Sequence, residues 1–250
     1  MTPIKYTGQV QEGSKWANAM TTDGSMWVWV PRYAYKITEG YHSSIVGTIE
    51  VAFLDTSNNF LNTTDTGIIE TNPNNITYTN GVQNQWLVHP AFTAKAENGG
   101  GFGEISGIWV AKFEASGTNA TNLAVKPGVS SLREKIINEL YYYGKEATYG
   151  ETEKLNSHMM KNSEWGAVAY LTHSKYGRNK EEITVNTSGD YYTGGTVDKN
   201  TIYTTNANQC TTKNATGIYD LSGGAYEYTA SYMNNTHSNL ISNGGTAEGD

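Results

Sequence analysis

The residues best placed to do chemistry fall in one short stretch, GIYDLSGGAYEYTAS, Gly217 to Ser231. Three glycines, three tyrosines and two carboxylates, Asp220 and Glu227, lie within its first twelve residues. A plain strand avoids that much glycine, and a plain loop has no need of that many rings. Glycine permits a tight turn and a close approach of backbone. The two carboxylates can hold an ion, or hold the turn itself through backbone amides.

The rest of the chain offers little of the usual catalytic equipment. Cys210 is the single cysteine, so neither an internal disulfide nor a cysteine-based zinc site can form within these residues. The histidines His42, His89, His158, His173 and His237 are scattered, and none stands at metal-ligand spacing from another His or Cys. There is no Gly-x-Ser-x-Gly elbow and no His-Glu-x-x-His helix. The glycine run NGGGFGE, Asn98 to Glu104, precedes a strand and not a helix, so it reads as a connector and not as a phosphate loop. These features lead to the expectation that the protein is not an enzyme.

Composition narrows the partners. The chain has 250 residues, a net charge of -7 and only 16% charged residues. Its 17 Lys and Arg form no basic stripe, which argues against nucleic acid. No stretch approaches a membrane span and no signal peptide is visible, so membrane insertion is not expected within this chain. Tyrosine is abundant at 18 residues, against five Phe. Rings with one wet edge suit binding surfaces, and they equally suit half-buried strands. Tyr191, Tyr192 and Tyr203 lie in a Tyr-, Gly- and Asn-rich stretch, Ser188 to Gln209, whose composition resembles a recognition loop.

These residues need a scaffold, and the hydrophobic pattern supplies one. SMWVWVPRYAYKI, Ser25 to Ile37, alternates with both faces occupied, which predicts a central strand interrupted at Pro31. SIVGTIEVAFLD (Ser44 to Asp55) and GIWVAKFEAS (Gly107 to Ser116) read as strands, and WLVHPAF (Trp86 to Phe92) as a compact apolar segment. A helix is predicted over Ser130 to Gly144, with a Ser131/Glu134 capping box and an apolar stripe of Ile136, Ile137 and Leu140. A second is predicted over Asn162 to Gly177, capped by Asn162 and striped by Trp165, Val168, Ala169 and Thr172. The fold class is α+β, with short twisted strands, two helices and long ordered loops. Residues 1–24 form an irregular N-terminal segment and 25–250 a single domain, with an excursion at about 40–85.

Four of these segments together resemble a known group. WVWVPRYAYKI, GIWVAKFEAS, the helix MMKNSEWGAVAYL and GIYDLSGGAYEYT are similar to the C-type lectin-like fold in its formylglycine-generating-enzyme (sulfatase-modifying factor) branch. The variable proteins of diversity-generating retroelements share that scaffold. The family's Gly-x-Tyr-Asp-x-x-Gly-Asn-x-Trp-Glu-Trp element matches Gly217, Tyr219, Asp220, Gly223, Gly224, Tyr226, Glu227 and Tyr228. Gly224 stands where the family has Asn, and Tyr226 and Tyr228 where it has Trp.

The resemblance implies a calcium site on Asp220, Gly223, Ala225 and Glu227, from two carboxylates and two turn carbonyls. It also implies C-terminal strands beyond the element, so the chain is expected to be a fragment lacking them. Formylglycine-generating members act through two cysteines, and Cys210 is alone here and lies upstream of the element. The expected function is therefore a non-catalytic ligand-binding or structural module of a bacterial or prophage surface or tail protein. It would sit outside the cell or on a virion and recognise a protein or glycan through Tyr191, Tyr192 and Tyr203. The alternatives are an oxidase of the formylglycine-generating type and a pilin-like or tail decoration domain.

Overall fold

The computed structural model describes residues 1–3, 16–61, 72–78, 83–95, 103–195 and 202–230. The alternating segment at 26–39 builds both sheets. β1 (Thr2–Pro3), β2 (Asn18–Met20), β3 (Met26–Pro31) and β7 (Gly107–Ala111) form an antiparallel sheet in the order β1-β2-β3-β7. β4 (Tyr33–Glu39), β5 (Thr48–Phe53) and β6 (Leu87–Val88) form a second antiparallel sheet in the order β5-β4-β6. Proline has no N–H to give a ladder, so the chain leaves the first sheet at Pro31 and re-enters pairing in the second. β3 is central, as its two-faced pattern predicts. The strand predicted within 44–55 pairs with β4 along its length, inside the region set apart as an excursion.

Arg32 marks the crossing between sheets and is fully buried. Its guanidinium is satisfied by the Phe92 carbonyl, by Asn58 Oδ1 at 2.7 Å and by Glu104 Oε2 at 2.6 Å. A buried cation persists only when its donors are met in this way.

Two helices complete the α+β architecture, α1 (Ile137–Glu146) and α2 (Asn162–Thr172). α2 packs Ala167, Val168 and Leu171 against Val28, Val30, Tyr33 and Phe92 in the main core. The buried stripe runs Glu164, Ala167, Val168, Leu171, Thr172, one position away from the predicted set, so Trp165 and Ala169 are only half-buried. Asn162 is not the cap but the first helical residue: Lys161 stands at the N-cap, its N–H donating to Glu164 at 2.8 Å, and the helix ends at Thr172 and not at Gly177.

α1 requires a larger correction. It begins at Ile137 and not at Ser130, and Ile136 and Ile137 are exposed instead of forming a core stripe. Ser130 and Ser131 are taken by bridges to Tyr192 and Ser116, and Glu134 adopts a positive φ of 59°. Tertiary partners have claimed the residues that the local pattern assigns to a helix cap. Gly144 does not end the helix but lies inside it. Among the described residues no helix is long and apolar enough to cross a membrane.

Candidate functional site

β7 is the outermost strand of its sheet among the described residues. Its register with β3 pairs Val28 with Val110 and Val30 with Ile108, and the Lys112 N–H meets the Met26 carbonyl at 3.0 Å. In an antiparallel ladder the hydrogen-bonded pairs alternate with pairs whose main-chain groups face outward. Gly107, Trp109 and Ala111 therefore direct their N–H and C=O groups away from β3. A cleft of about 590 Å³ runs along this edge and is lined by every residue of β7. Its floor includes Trp27, Leu123 and Val125, and its walls include the aromatic side chains of Trp165, Tyr226 and Tyr228.

Beyond β7 the strand's inward alternation delivers two charged side chains, Lys112 and Glu114. Lys112 is fully buried beneath Phe113, Tyr203 and Tyr219, and its ammonium donates to the carbonyls of Ala215 (2.8 Å) and Gly217 (2.7 Å). Burial pulls its pKa down to about 7. Glu114 turns to the cleft, where its carboxylate accepts the Ser131 hydroxyl and the Ala225 N–H at 3.0 Å. Burial pushes its pKa up to about 8. The Ser131 and Ala225 bonds pull the other way, and the charges of Asp220 and Glu227 add to the rise.

The glycine pair of the opening stretch is explained by these neighbours. Gly223 and Gly224 both have positive φ, at 82° and 71°. A Cβ on Gly224 would lie 2.6 Å from Glu114 Oε1, and one on Gly223 would run into the Asn186 backbone. The turn is pressed onto two other segments, which leaves no room for side chains at either position.

Asp220 sits below that turn and is almost wholly buried. It accepts the Gly194 N–H at 2.7 Å, the Gly195 N–H at 2.8 Å and Asn186 Nδ2 at 3.0 Å, with a further bond from the Glu114 N–H. Burial raises its pKa against the pull of these bonds. A carboxylate has about four acceptor sites, and here four N–H groups face them. Asp220 as arranged is thus fitted to tie residues 186, 194–195 and 114 together, and it does not fit a calcium shell without giving up those bonds. Glu227 stands apart from it at the cleft wall. Solvent reaches its side chain there, and Trp165 Nε1 donates to it at 3.0 Å. Crowding by protein raises its pKa, and the charge of Asp220 adds to the rise. Among the described residues, no three His, Cys, Asp or Glu side chains are grouped to hold a metal ion.

The predicted recognition tyrosines separate. Tyr203 is buried, edge-on to Phe113 and Tyr219, so packing holds its ring and does not present it to a ligand. Tyr191 and Tyr192 are half-buried; Arg133 stacks on Tyr191 at 3.9 Å, and Tyr192 bridges to Ser130. Neither lines the cleft. Lining residues to which the sequence reading gave no site role include Glu114, Trp109 and Trp165. One signal was present: in an apolar strand, Lys112 and Glu114 share the face of Ile108 and Val110. Charges on a core-directed face require partners or a site.

Cys210 is fully buried, its sulfur 3.2 Å from Thr212 Oγ1 and bonded to the Ile218 carbonyl at 3.1 Å. Burial pushes its thiol pKa up, the reverse of what a reactive thiolate requires. His89 is likewise buried, among Tyr33, Tyr35, Phe92 and Tyr170, and burial pulls its pKa down to about 3. Comparison with family models, with curated proteins and with solved structures finds no match.

Proposed function

We propose that this chain is a non-catalytic ligand-binding module, of the kind carried on bacterial or prophage surfaces and tails, and that the cleft beside β7 takes its protein or glycan ligand. The observation that carries this reading is the cleft itself. It is about 590 Å³ and mostly apolar, and its aromatic lining includes Trp109 at 41% exposed, Tyr226 at 97% and Tyr228 at 51%. Ligand sites are concave and apolar with a few polar groups for orientation, and Glu114 and Glu227 supply those here. Exposed rings of this size are costly to leave in water without a use.

The competing reading, an oxidase of the formylglycine-generating type, requires a pair of reactive thiols. Cys210 supplies one thiol, and it is buried. A calcium ion on Asp220, Gly223, Ala225 and Glu227 belongs to the resemblance, and the four N–H groups on Asp220 weigh against it. The module reading is tested by presenting the whole chain to a glycan array and to a displayed peptide library, beside Trp165→Ala and Tyr226→Ala variants. We expect a specific ligand whose affinity falls at least about tenfold in either variant, the loss typical of an aromatic contact residue. Variants that bind as well as the parent would remove the cleft from the function.

A further inference from the structure

We infer that the cleft is completed by an extended peptide from a partner, which adds to the free edge of β7 as a further strand and points a lysine or arginine at Glu114 and Glu227. The inference rests on the reading of the cleft as the ligand site and deepens it by naming the chemical class.

The edge argues for a strand. Gly107, Trp109 and Ala111 offer outward N–H and C=O groups in the spacing that a neighbouring strand satisfies, and the cleft follows the whole length of β7. Among the described residues no strand or bridge occupies that side. An open edge is a template for an added strand, in which main-chain bonds give affinity and side-chain pockets give specificity. A sugar would use the aromatic walls but would leave this ladder unanswered.

The charges argue for a basic side chain. Glu114 and Glu227 both line the cleft, and neither is in an ion pair among the described residues. Both carboxyls are pushed up: burial and the charges of Asp220 and Glu227 oppose ionisation of Glu114, and crowding by protein and the charge of Asp220 oppose that of Glu227. A cation brought between them reverses that opposition, so the site favours a positively charged occupant. Residues 231–250 of this chain contain no Lys or Arg; Lys5, Lys15 and Lys199 lie outside the described residues, and amide exchange in the free chain separates them from a partner.

The test uses the full chain and a blocked six-residue probe of alternating Val and Thr with one central Arg. Two control probes carry citrulline in place of Arg, or N-methyl groups on alternate residues. Binding is followed by tryptophan fluorescence and by exchange of the Trp109 and Ala111 amides. We expect the Arg probe to bind and to slow both amides, the citrulline probe to bind at least about tenfold more weakly, and the N-methylated probe not to bind. Glu114→Gln is expected to narrow the preference for Arg over citrulline, and Glu114→Gln combined with Glu227→Gln to erase it. Equal binding of the Arg and citrulline probes would overturn the basic-residue assignment. Trp109 and Ala111 amides already protected in the free chain would show the edge filled by the chain's own residues or by a second copy, and would overturn the partner. If no probe binds while a glycan does so through Trp165 and Tyr226, strand addition fails and the module reading stands.

Discussion

Two acids lie on either side of one glycine turn and are treated in opposite ways. Asp220 is met by four N–H groups and is closed off from water; Glu114 has the Ser131 hydroxyl and the Ala225 N–H and faces an open cleft. The first ties loops together, since its donors come from three stretches of chain, at 114, 186 and 194–195. The second is left under-compensated at the cleft. The same residue chemistry fastens loops where its bonding is complete and leaves a polar group open to the cleft where it is not.

The comparison is broken most severely at Asp220. Asp220→Ala leaves two buried glycine amides and Asn186 without their acceptor, which we expect to cost about 3–5 kcal/mol in urea unfolding. A loss below about 1 kcal/mol would mean that the loops are held by other contacts. Next is the turn between the acids. Gly223→Ala is strained by its positive φ and by collision with the Asn186 backbone, and we expect a loss of about 2–4 kcal/mol, exceeding that of Gly224→Ala, whose obstacle is the end of the Glu114 side chain.

The acids also differ in what pH does. Glu114 has its folded pKa raised from 4.5 to about 8, so the folded state holds its proton more tightly than the unfolded chain. That contribution is fully present below about pH 4.5 and is lost as pH rises through 8. Lys112 acts in the opposite sense and higher up, since its folded pKa is lowered from 10.5 to about 7 and stability is regained between those values. Buried His89, with its folded pKa lowered from 6.5 to about 3, adds stability as pH rises to about 6.5, so the Glu114 contribution is read as the difference between the parent and Glu114→Gln. Between pH 5 and 7 we expect the parent to lose about 1–2 kcal/mol relative to Glu114→Gln after relaxation, whereas parallel pH profiles would assign any falling contribution to Asp220 and Glu227. The smallest effect expected is that of a chelator. With Asp220's lone pairs already engaged, EDTA should move the melting midpoint by no more than about a degree. A larger drop, restored by calcium, would establish the ion that the family resemblance implies.

Much of the scaffold was legible in the sequence because its signals are local. The alternation at 26–39, the break at Pro31, the strands at 48–53 and 107–111 and the α2 helix all follow from periods of two or 3.6 and from proline's missing donor. The start of α1 was not legible, because Ser131 has a capping pattern and also an acid across the fold, and the acid prevails. Tyr203 was misplaced for a related reason: a tyrosine in a polar stretch looks wet until Phe113 and Tyr219 are known to stand over it.

The sequence by itself determined the class of the fold, the single thiol, the acidic balance and the glycine turn with its two carboxylates. Tertiary structure alone decided which carboxylate is a fastener and which faces the cleft. Asp220 and Glu114 are 106 residues apart along the chain, and what separates their roles is how many N–H groups the folded loops bring to each.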